Sequence, residues 1–397
     1  MVEGVVFLIC TERSGSNLLR AMMNAHPSIH APMPVHLGLN YWATIHRYGD
    51  LGKDENWSTL IRHVCNHLSR TLGKLDVTIT EAELFESVKE RNFKAIYEYV
   101  YTKGMKQTGK IRLFIKDNHC HKQLYYFLYY FPEAKFVIQV RDPRDYVLSC
   151  KKLTHYNNFF KAIDVWEAEQ NAALEILHVL PRDKVFVQKY EDLLICPEKV
   201  LRDLCSFLEL PFESQMLEFY GTKDSQRAAA RSVYWENLSK PIISSNHGKF
   251  KSGLNRIHLY FIEHSLGELM DRFGYSRTGK DSRFARATVA LLRKSRLLRL
   301  LSFAWWTIRS PRGRDVLPDR IRFYALKLAH LLGRQTKANL TVMDIDKLEK
   351  KVCYSYDRGQ ERVTAAKQKG AALKTGTSPG GACPAIDLHN DAQRKIS

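Results

Sequence analysis

Seven consecutive residues near the start of the chain, Thr11-Glu12-Arg13-Ser14-Gly15-Ser16-Asn17, have the types and spacing to hold an anion. Two serine hydroxyls flank a glycine, and backbone N–H groups at the head of a following helix point the same way, toward a phosphate or sulfate. Arg13 adds a planar guanidinium that grips such an oxyanion bidentately without help from a metal. The G-x-x-x-x-G-K-[ST] pattern of nucleoside triphosphatases is absent, since the loop has one glycine and no lysine after it. Magnesium-dependent phosphoryl transfer is therefore disfavoured. The plainer alternative is a polar strand-to-helix turn in which Ser14 or Ser16 caps the helix.

A second group of the same kind lies further on. Arg141-Asp142-Pro143-Arg144-Asp145 is followed by Ser149, eight residues after Arg141. Proline suits the first helical turn, so Arg141 falls at a strand end and Ser149 about two turns into the next helix, on roughly the same side. Together they offer a charge and a hydroxyl to a second phosphate. Two separated anion sites suit a nucleotide phosphorylated at two places.

The elements that must carry these groups follow from the apolar pattern. Val5 to Cys10 is an unbroken apolar run, the mark of a buried strand, and Leu18, Leu19, Met22 and Met23 recur at helical spacing. Further strands are expected at Arg112–Ile115, ending at Lys116-Asp117, at Lys135–Val140 and at Lys184–Gln188. Helices are expected at 58–72, 81–106, 121–131, from Pro143, at 160–178, from Pro197 through Leu208, and at 257–273, stopped by Gly274. Strands separated by helices predict an α/β fold, a parallel sheet covered on both faces. Ligands of such sheets bind at the carboxyl ends of the strands. The aromatic residues Tyr41, Trp42, Tyr48 and Trp57, with His46, lie between and read mainly as core, although acceptor contacts are the alternative.

At 397 residues with a net charge of +19, the chain has room for one large domain and extensions. The charge is local: residues 278–335 hold 14 Lys/Arg against 3 Asp/Glu. We divide the chain into 1–277, a catalytic domain; 278–335, a basic amphipathic helical extension; and 336–397, a mostly flexible tail poor in large apolar groups, above all over 357–397. Nucleic acid is not the expected partner of so local an excess. Residues 284–334 interleave leucine and tryptophan with arginine, which fits either peripheral contact with an anionic membrane or packing on the domain. Eight cysteines form no C-x-x-C pair and several sit in apolar runs, as reduced thiols of a cytoplasmic protein do. The six-residue apolar start is too short for a signal peptide, and no stretch is long enough for a transmembrane helix.

These residues resemble the sulfotransferases that use 3′-phosphoadenosine 5′-phosphosulfate. Arg13-Ser14-Gly15-Ser16-Asn17-Leu18-Leu19 is similar to the family's 5′-phosphosulfate loop, in the arginine-bearing form of tyrosylprotein and many bacterial enzymes. Val140 to Asp145 with Ser149 resembles the 3′-phosphate element. Tyr190-Glu191-Asp192-Leu193-Leu194 resembles the segment after the last strand, and Gly248-Lys249-Phe250-Lys251 the late basic loop. The resemblance covers residues 5–277. It implies a fold related to nucleotide kinases and in-line transfer of a sulfuryl group to a hydroxyl, with no metal. It implies nucleotide contacts from Arg13, Ser14, Gly15, Ser16, Asn17, Leu18, Arg141, Ser149, Tyr190 (near the adenine) and Lys249. Arg13 would also steady the leaving oxygen, and Lys116 matches a lysine that assists in the tyrosylprotein branch.

The general base does not carry over. Aligned without gaps, the glutamate base of the tyrosylprotein enzymes falls on Pro34, and His30 to His36 holds no carboxylate. An imidazole titrating near neutral pH suits the task, and His36 is the nearest. His30, Glu12, Asp117, His119 and His121 are the other candidates. The acceptor is a hydroxyl on a carbohydrate, lipid-linked glycan, peptide or small alcohol. Rival readings are a kinase-like phosphotransferase on the same fold and a non-enzymatic basic adaptor for membrane or nucleic acid.

Overall fold

A computed structural model describes residues 4–301 except 72, 120–121, 152–158, 233, 280–282, 296–297 and 299–300. His121, the expected flexible tail and most of the basic extension lie outside the described residues. The chain begins with strand β1 (Gly4–Cys10), helix α1 (Ser16–Ala25), strand β2 (Ile29–His30) and helix α2 (Leu37–Tyr41). Three helices follow, α3 (Asp54–Arg70), α4 (Glu81–Ser87) and α5 (Phe93–Thr108), then β3 (Arg112–Lys116), α6 (Leu124–Tyr130), β4 (Lys135–Val140), α7 (Pro143–Cys150) and α8 (Phe159–Val179). After β5 (Val185–Lys189) come α9 (Tyr190–Ile195), α10 (Pro197–Phe207), α11 (Lys223–Arg231), α12 (Phe250–Gly253), α13 (Arg256–Arg272) and α14 (Arg283–Lys294).

The five strands form one parallel sheet in the order β2-β3-β1-β4-β5. Val6 of β1 pairs with Phe114 of β3, and Leu8 with Val137 of β4. Strand alternation splits the apolar side chains into two cores. Phe7, Ile9, Ile115 and Ile138 join the core built with α3, α5, α6, α8 and α13, where Tyr41, Trp42 and Trp57 are also buried. Val6, Leu8, Cys10, Phe114 and Val137 face the second core, with α1 and α10. The sheet is thus covered on both faces, as its unbroken apolar runs require. The four anticipated strands are present within a residue or two. The fifth, β2, is two residues long at the sheet edge and too short to leave a periodic signal.

The crossover from β3 to β4 passes over β1, so β1 lies between its two later neighbours. Its carboxyl end is where the strand order changes direction, the place an open α/β sheet leaves a crevice for a ligand. At the far end of the described chain, α14 packs on α13 through Ala285 and Val289. Arg293 reaches Asp164 of α8 at 2.6 Å and also bonds Glu167, and Arg286 pairs with Glu268 of α13. Among the described residues no helix is long and apolar enough to cross a membrane. Cys10, Cys65, Cys150 and Cys205 are free thiols. Cys196 corrects the expectation of reduced thiols throughout: it is disulfide-bonded.

Candidate active site

The loop from Thr11 to Gly15 is built by its backbone. Ser14 donates its hydroxyl to the Thr11 carbonyl at 2.6 Å and its N–H to the same oxygen at 3.3 Å, closing a tight turn. Gly15 takes φ +82°, a conformation that side chains resist. A Cβ there would also stand 2.2 Å from the Tyr190 ring, so the glycine both turns the chain and lets the tyrosine lie against the loop. Two glutamines lock the turn from beneath. Gln139 of β4 donates to the Ser14 carbonyl at 2.6 Å and accepts from Gln188 of β5 at 3.0 Å, all of it buried. Their sequence signal was a glutamine near the carboxyl end of each of two largely apolar strands.

Arg13 and Arg141 meet above this turn. Arg141 donates to the Arg13 carbonyl at 2.6 Å and lies over the Tyr190 ring, 4.7 Å from its centre. Arg13 lies over Tyr234 at 5.3 Å and donates to the Ser149 hydroxyl at 3.2 Å. Ser149 therefore sits with Arg13 rather than pairing with Arg141 alone as the helix phase implied. The Trp166 indole N–H holds the Arg141 carbonyl at 3.0 Å. Burial raises the Tyr190 phenol above its ordinary range, so it is a neutral donor, and its oxygen accepts from Asn246 at 2.7 Å. Lys249 is exposed and donates to the same Asn246 at 2.6 Å. Asp145, in the first turn of α7, pins this late loop by accepting from the Phe250 N–H at 2.8 Å and from Gly248.

Of these, Arg13, Arg141, Tyr190 and Tyr234 line an open cleft with Gly15, Ser16, Asn17, Leu18, Trp235 and Asn246. Two polar atoms within it fit a phosphorylated nucleotide. Arg141 is 7% exposed, yet its Nε has no partner, and Asn17 Oδ1 is likewise unpartnered. A buried guanidinium N–H without an acceptor is costly, and a phosphate oxygen is its natural complement. Tyr190 and Trp235 supply apolar and aromatic wall for a base.

The end of β3 supplies the second half of the site. Lys116 is buried, donates to the Asn118 side chain, and lies near Cys10 at the floor of the anion loop. There burial outweighs the pull of Lys116 and pushes the Cys10 thiol up to about 11. Asp117 is fully buried and hydrogen-bonds Nδ1 of His36, whose side chain is 26% exposed. A carboxylate only accepts, so the proton of this bond sits on Nδ1, and in the neutral ring Nε2 is the atom left to accept. His36 itself takes φ +56° at the head of α2. The segment leading to it is held by His67 of α3, whose Nε2 lies 2.6 Å from the Val35 carbonyl. A second pair lies alongside, His119 Nδ1 to the buried Glu169 at 3.5 Å. His30 is elsewhere, in a separate pocket at the β2 edge. Among the described residues no group of His, Cys, Asp and Glu could hold a metal ion.

Comparison with known proteins places this arrangement. A model described as the sulfotransferase family matches residues 5–214. The chain is 27% identical over 222 residues to protein-tyrosine sulfotransferase 1 of Danio rerio, covering 54% of this chain and 55% of the relative. It is 24% identical over 223 residues to protein-tyrosine sulfotransferase of Drosophila melanogaster, covering 54% and 39%. It thus spans about half the length, or less, of these curated relatives. Among solved structures, the sulfotransferase domain from the Synechococcus PCC 7002 olefin synthase shares the fold, with a TM-score of 0.50 at 22% identity over 69% of this chain and 96% of that one. With its family model running from β1 through the anion loop, Lys116 and Arg141 to Tyr190 and beyond, the chain belongs to the sulfotransferase family.

Proposed function

We propose that the protein transfers a sulfuryl group from 3′-phosphoadenosine 5′-phosphosulfate to an acceptor hydroxyl. The observation that carries this reading is the joining of Arg13, Ser149, Arg141 and Tyr190 in one contact chain over the carboxyl ends of β1, β4 and β5, with the buried Arg141 Nε unpartnered. When bound, the donor supplies an activated sulfuryl group and a phosphate leaving group. Ser14, Gly15, Ser16, Asn17 and Leu18 form the cradle for its 5′ end, and Arg141, Ser149 and Lys249 the cationic and hydroxyl groups for its 3′-phosphate. Tyr190 stacks beside the base. Arg13 and Lys116 place fixed positive charge where negative charge grows on the leaving oxygen. The acceptor hydroxyl must lose its proton, and His36 Nε2 takes it, with Asp117 holding the ring and steadying the imidazolium that forms.

The acceptor carries a hydroxyl. Relatives named for protein tyrosine support a peptide phenol first, ahead of a carbohydrate, lipid-linked glycan or small alcohol. Peripheral contact with an anionic membrane through 284–334 is part of the reading. It is supported by Phe284 and Leu291 standing 82% and 74% exposed on α14, beside Arg283 and Lys294. The four free thiols support a cytoplasmic setting; the bonded Cys196 speaks against it.

Competition between nucleotides tests the reading. 3′,5′-diphosphoadenosine should bind at least tenfold tighter than ATP, with no requirement for magnesium. Equal or tighter binding of ATP, strengthened by magnesium, would establish the kinase-like rival instead.

A further inference from the structure

A second pocket lies at the β2 edge of the sheet, with no lining residue in common with the cleft. Its lining mixes the apolar side chains of Met33, Leu75, Val77 and Val100 with charged and polar groups. These groups include Lys110, Asp224 and His30, with Arg20 of α1 behind them. Arg20 is fully buried, pairs with Asp224 at 2.7 Å and donates to the Ala31 carbonyl at 2.7 Å, and its Nε has no partner. Lys110 donates to the Asn24 carbonyl at the end of α1.

The charges do not cancel. Two carboxylates line the pocket, but Asp224 is taken up by the buried Arg20 behind it, which leaves the Lys110 ammonium without a carboxylate of its own. Asp76 at the mouth is exposed and engaged with Arg227 at 3.1 Å. His30 adds no charge near neutral pH, because burial, reinforced by Lys110, pushes it down to about 4. An uncompensated cation in a half-enclosed, partly apolar pocket is unfavourable unless an anion joins it. From the unpaired Lys110 ammonium and the apolar residues that share its pocket, we infer that this pocket is a binding site for a small organic monoanion, its charged end toward Lys110 and its apolar body among Met33, Val77 and Val100. The state of Lys110 agrees. Burial pushes its ammonium down to about 8, with Arg20 adding to the effect and Asp224 opposing it. A bound anion reverses that shift.

The pocket wall also continues into the site. Ala31 is held at both ends by α1, its N–H by the Asn24 side chain at 2.9 Å and its carbonyl by Arg20. Pro32 and Met33 line the pocket three or four residues before His36.

Hexanoate is the probe, with 1-hexanol as its uncharged counterpart, on the full chain. Hexanoate should bind saturably in calorimetry at pH 8, taking up as much as about half a proton as Lys110 regains its charge. It should protect Lys110 several-fold from trace acetylation read by mass spectrometry, and 1-hexanol should not. Lys110→Met should weaken hexanoate binding at least tenfold. Val77→Trp, which fills space among the apolar residues and leaves every charge in place, should weaken it similarly. Arg141→Ala should leave it unchanged, which separates this pocket from the nucleotide cleft whether or not the cleft binds a nucleotide. Absence of hexanoate binding at millimolar concentration, equal protection by hexanol, or binding indifferent to both Lys110→Met and Val77→Trp would each overturn the inference.

Discussion

Arg13, His36 and His119 hold φ values of 69°, 56° and 54°, and among the described residues the one other non-glycine with positive φ, Glu209, lies away from the strand ends that carry the site. A side chain in the left-handed region costs roughly 1–2 kcal/mol, and such strain persists where its surroundings over-determine it. Here the surroundings are Ser149 and Tyr234 for Arg13, and Asp117 for His36. Two outcomes follow at this scale. His36→Ala should retain nucleotide binding while turnover drops by a factor on the order of 10²–10⁴, the usual worth of a general base. Asp117→Asn should lower turnover as well and alter its pH profile, because the ring loses its anionic partner. Unchanged turnover in His36→Ala would move the base to another group, with His119 backed by Glu169 next in line. Gly15→Ala should weaken nucleotide binding tenfold or more, read by calorimetry, since its Cβ meets the Tyr190 ring. The anion loop and Arg141 could be singled out from residue types and spacing, whereas Lys116 stood out only through the family resemblance. Which arginine would meet Ser149 was not, because helix phase sets a direction but not the partner at the end of a long side chain. The Gln139–Gln188 relay was hidden for a similar reason, since one polar residue in a strand does not announce its partner 49 positions away.

Among the elements, the helices around the site are fastened by buried charge. Arg144 of α7 grips Asp142 through two nitrogens at 2.7 and 2.9 Å, reaches Glu263 of α13 at 2.8 Å, and lies 4.1 Å from the centre of the Phe250 ring. Burial alone would raise the Glu263 carboxyl, but bonds from Thr278, Arg144 and Gly279 outweigh it and hold it below its usual range. Removing one member of such a buried cluster typically costs about 3–5 kcal/mol, so Glu263→Gln should lower the melting temperature by many degrees. A change within experimental error would show the cluster to be dispensable. At the β2 edge, His30 makes stability fall in acid. Its folded-state value of about 4 lies below the unfolded value of about 6.5. The unfolded chain therefore binds the extra proton first, and stability present above pH 6.5 is lost as pH falls toward 4. The loss is on the order of 2–3 kcal/mol, and denaturant midpoints of the wild type and His30→Gln should converge across that window. The longer elements were readable because apolar runs of five or six residues and helical repeats of two turns or more have a period to detect. β2, with two residues, has none.

For the whole molecule, alternation of strands and helices predicted a parallel sheet, but not which strand lies in the middle. That order depends on crossovers between distant elements, which leave no local signal in the sequence. The order matters to function because placing β1 between β3 and β4 brings Arg13, Lys116 and Arg141 to one edge from positions far apart in the chain. The central claim, a site for a nucleotide phosphorylated at both its 3′ and 5′ ends, rests on that convergence. Its most direct test is calorimetric titration of the full chain with 3′,5′-diphosphoadenosine, wild type beside Arg141→Ala. The account predicts micromolar binding by the wild type and a loss of at least tenfold in the variant, the scale of one charged hydrogen bond. Absence of micromolar binding by the wild type, or equal binding by the two proteins, would contradict it.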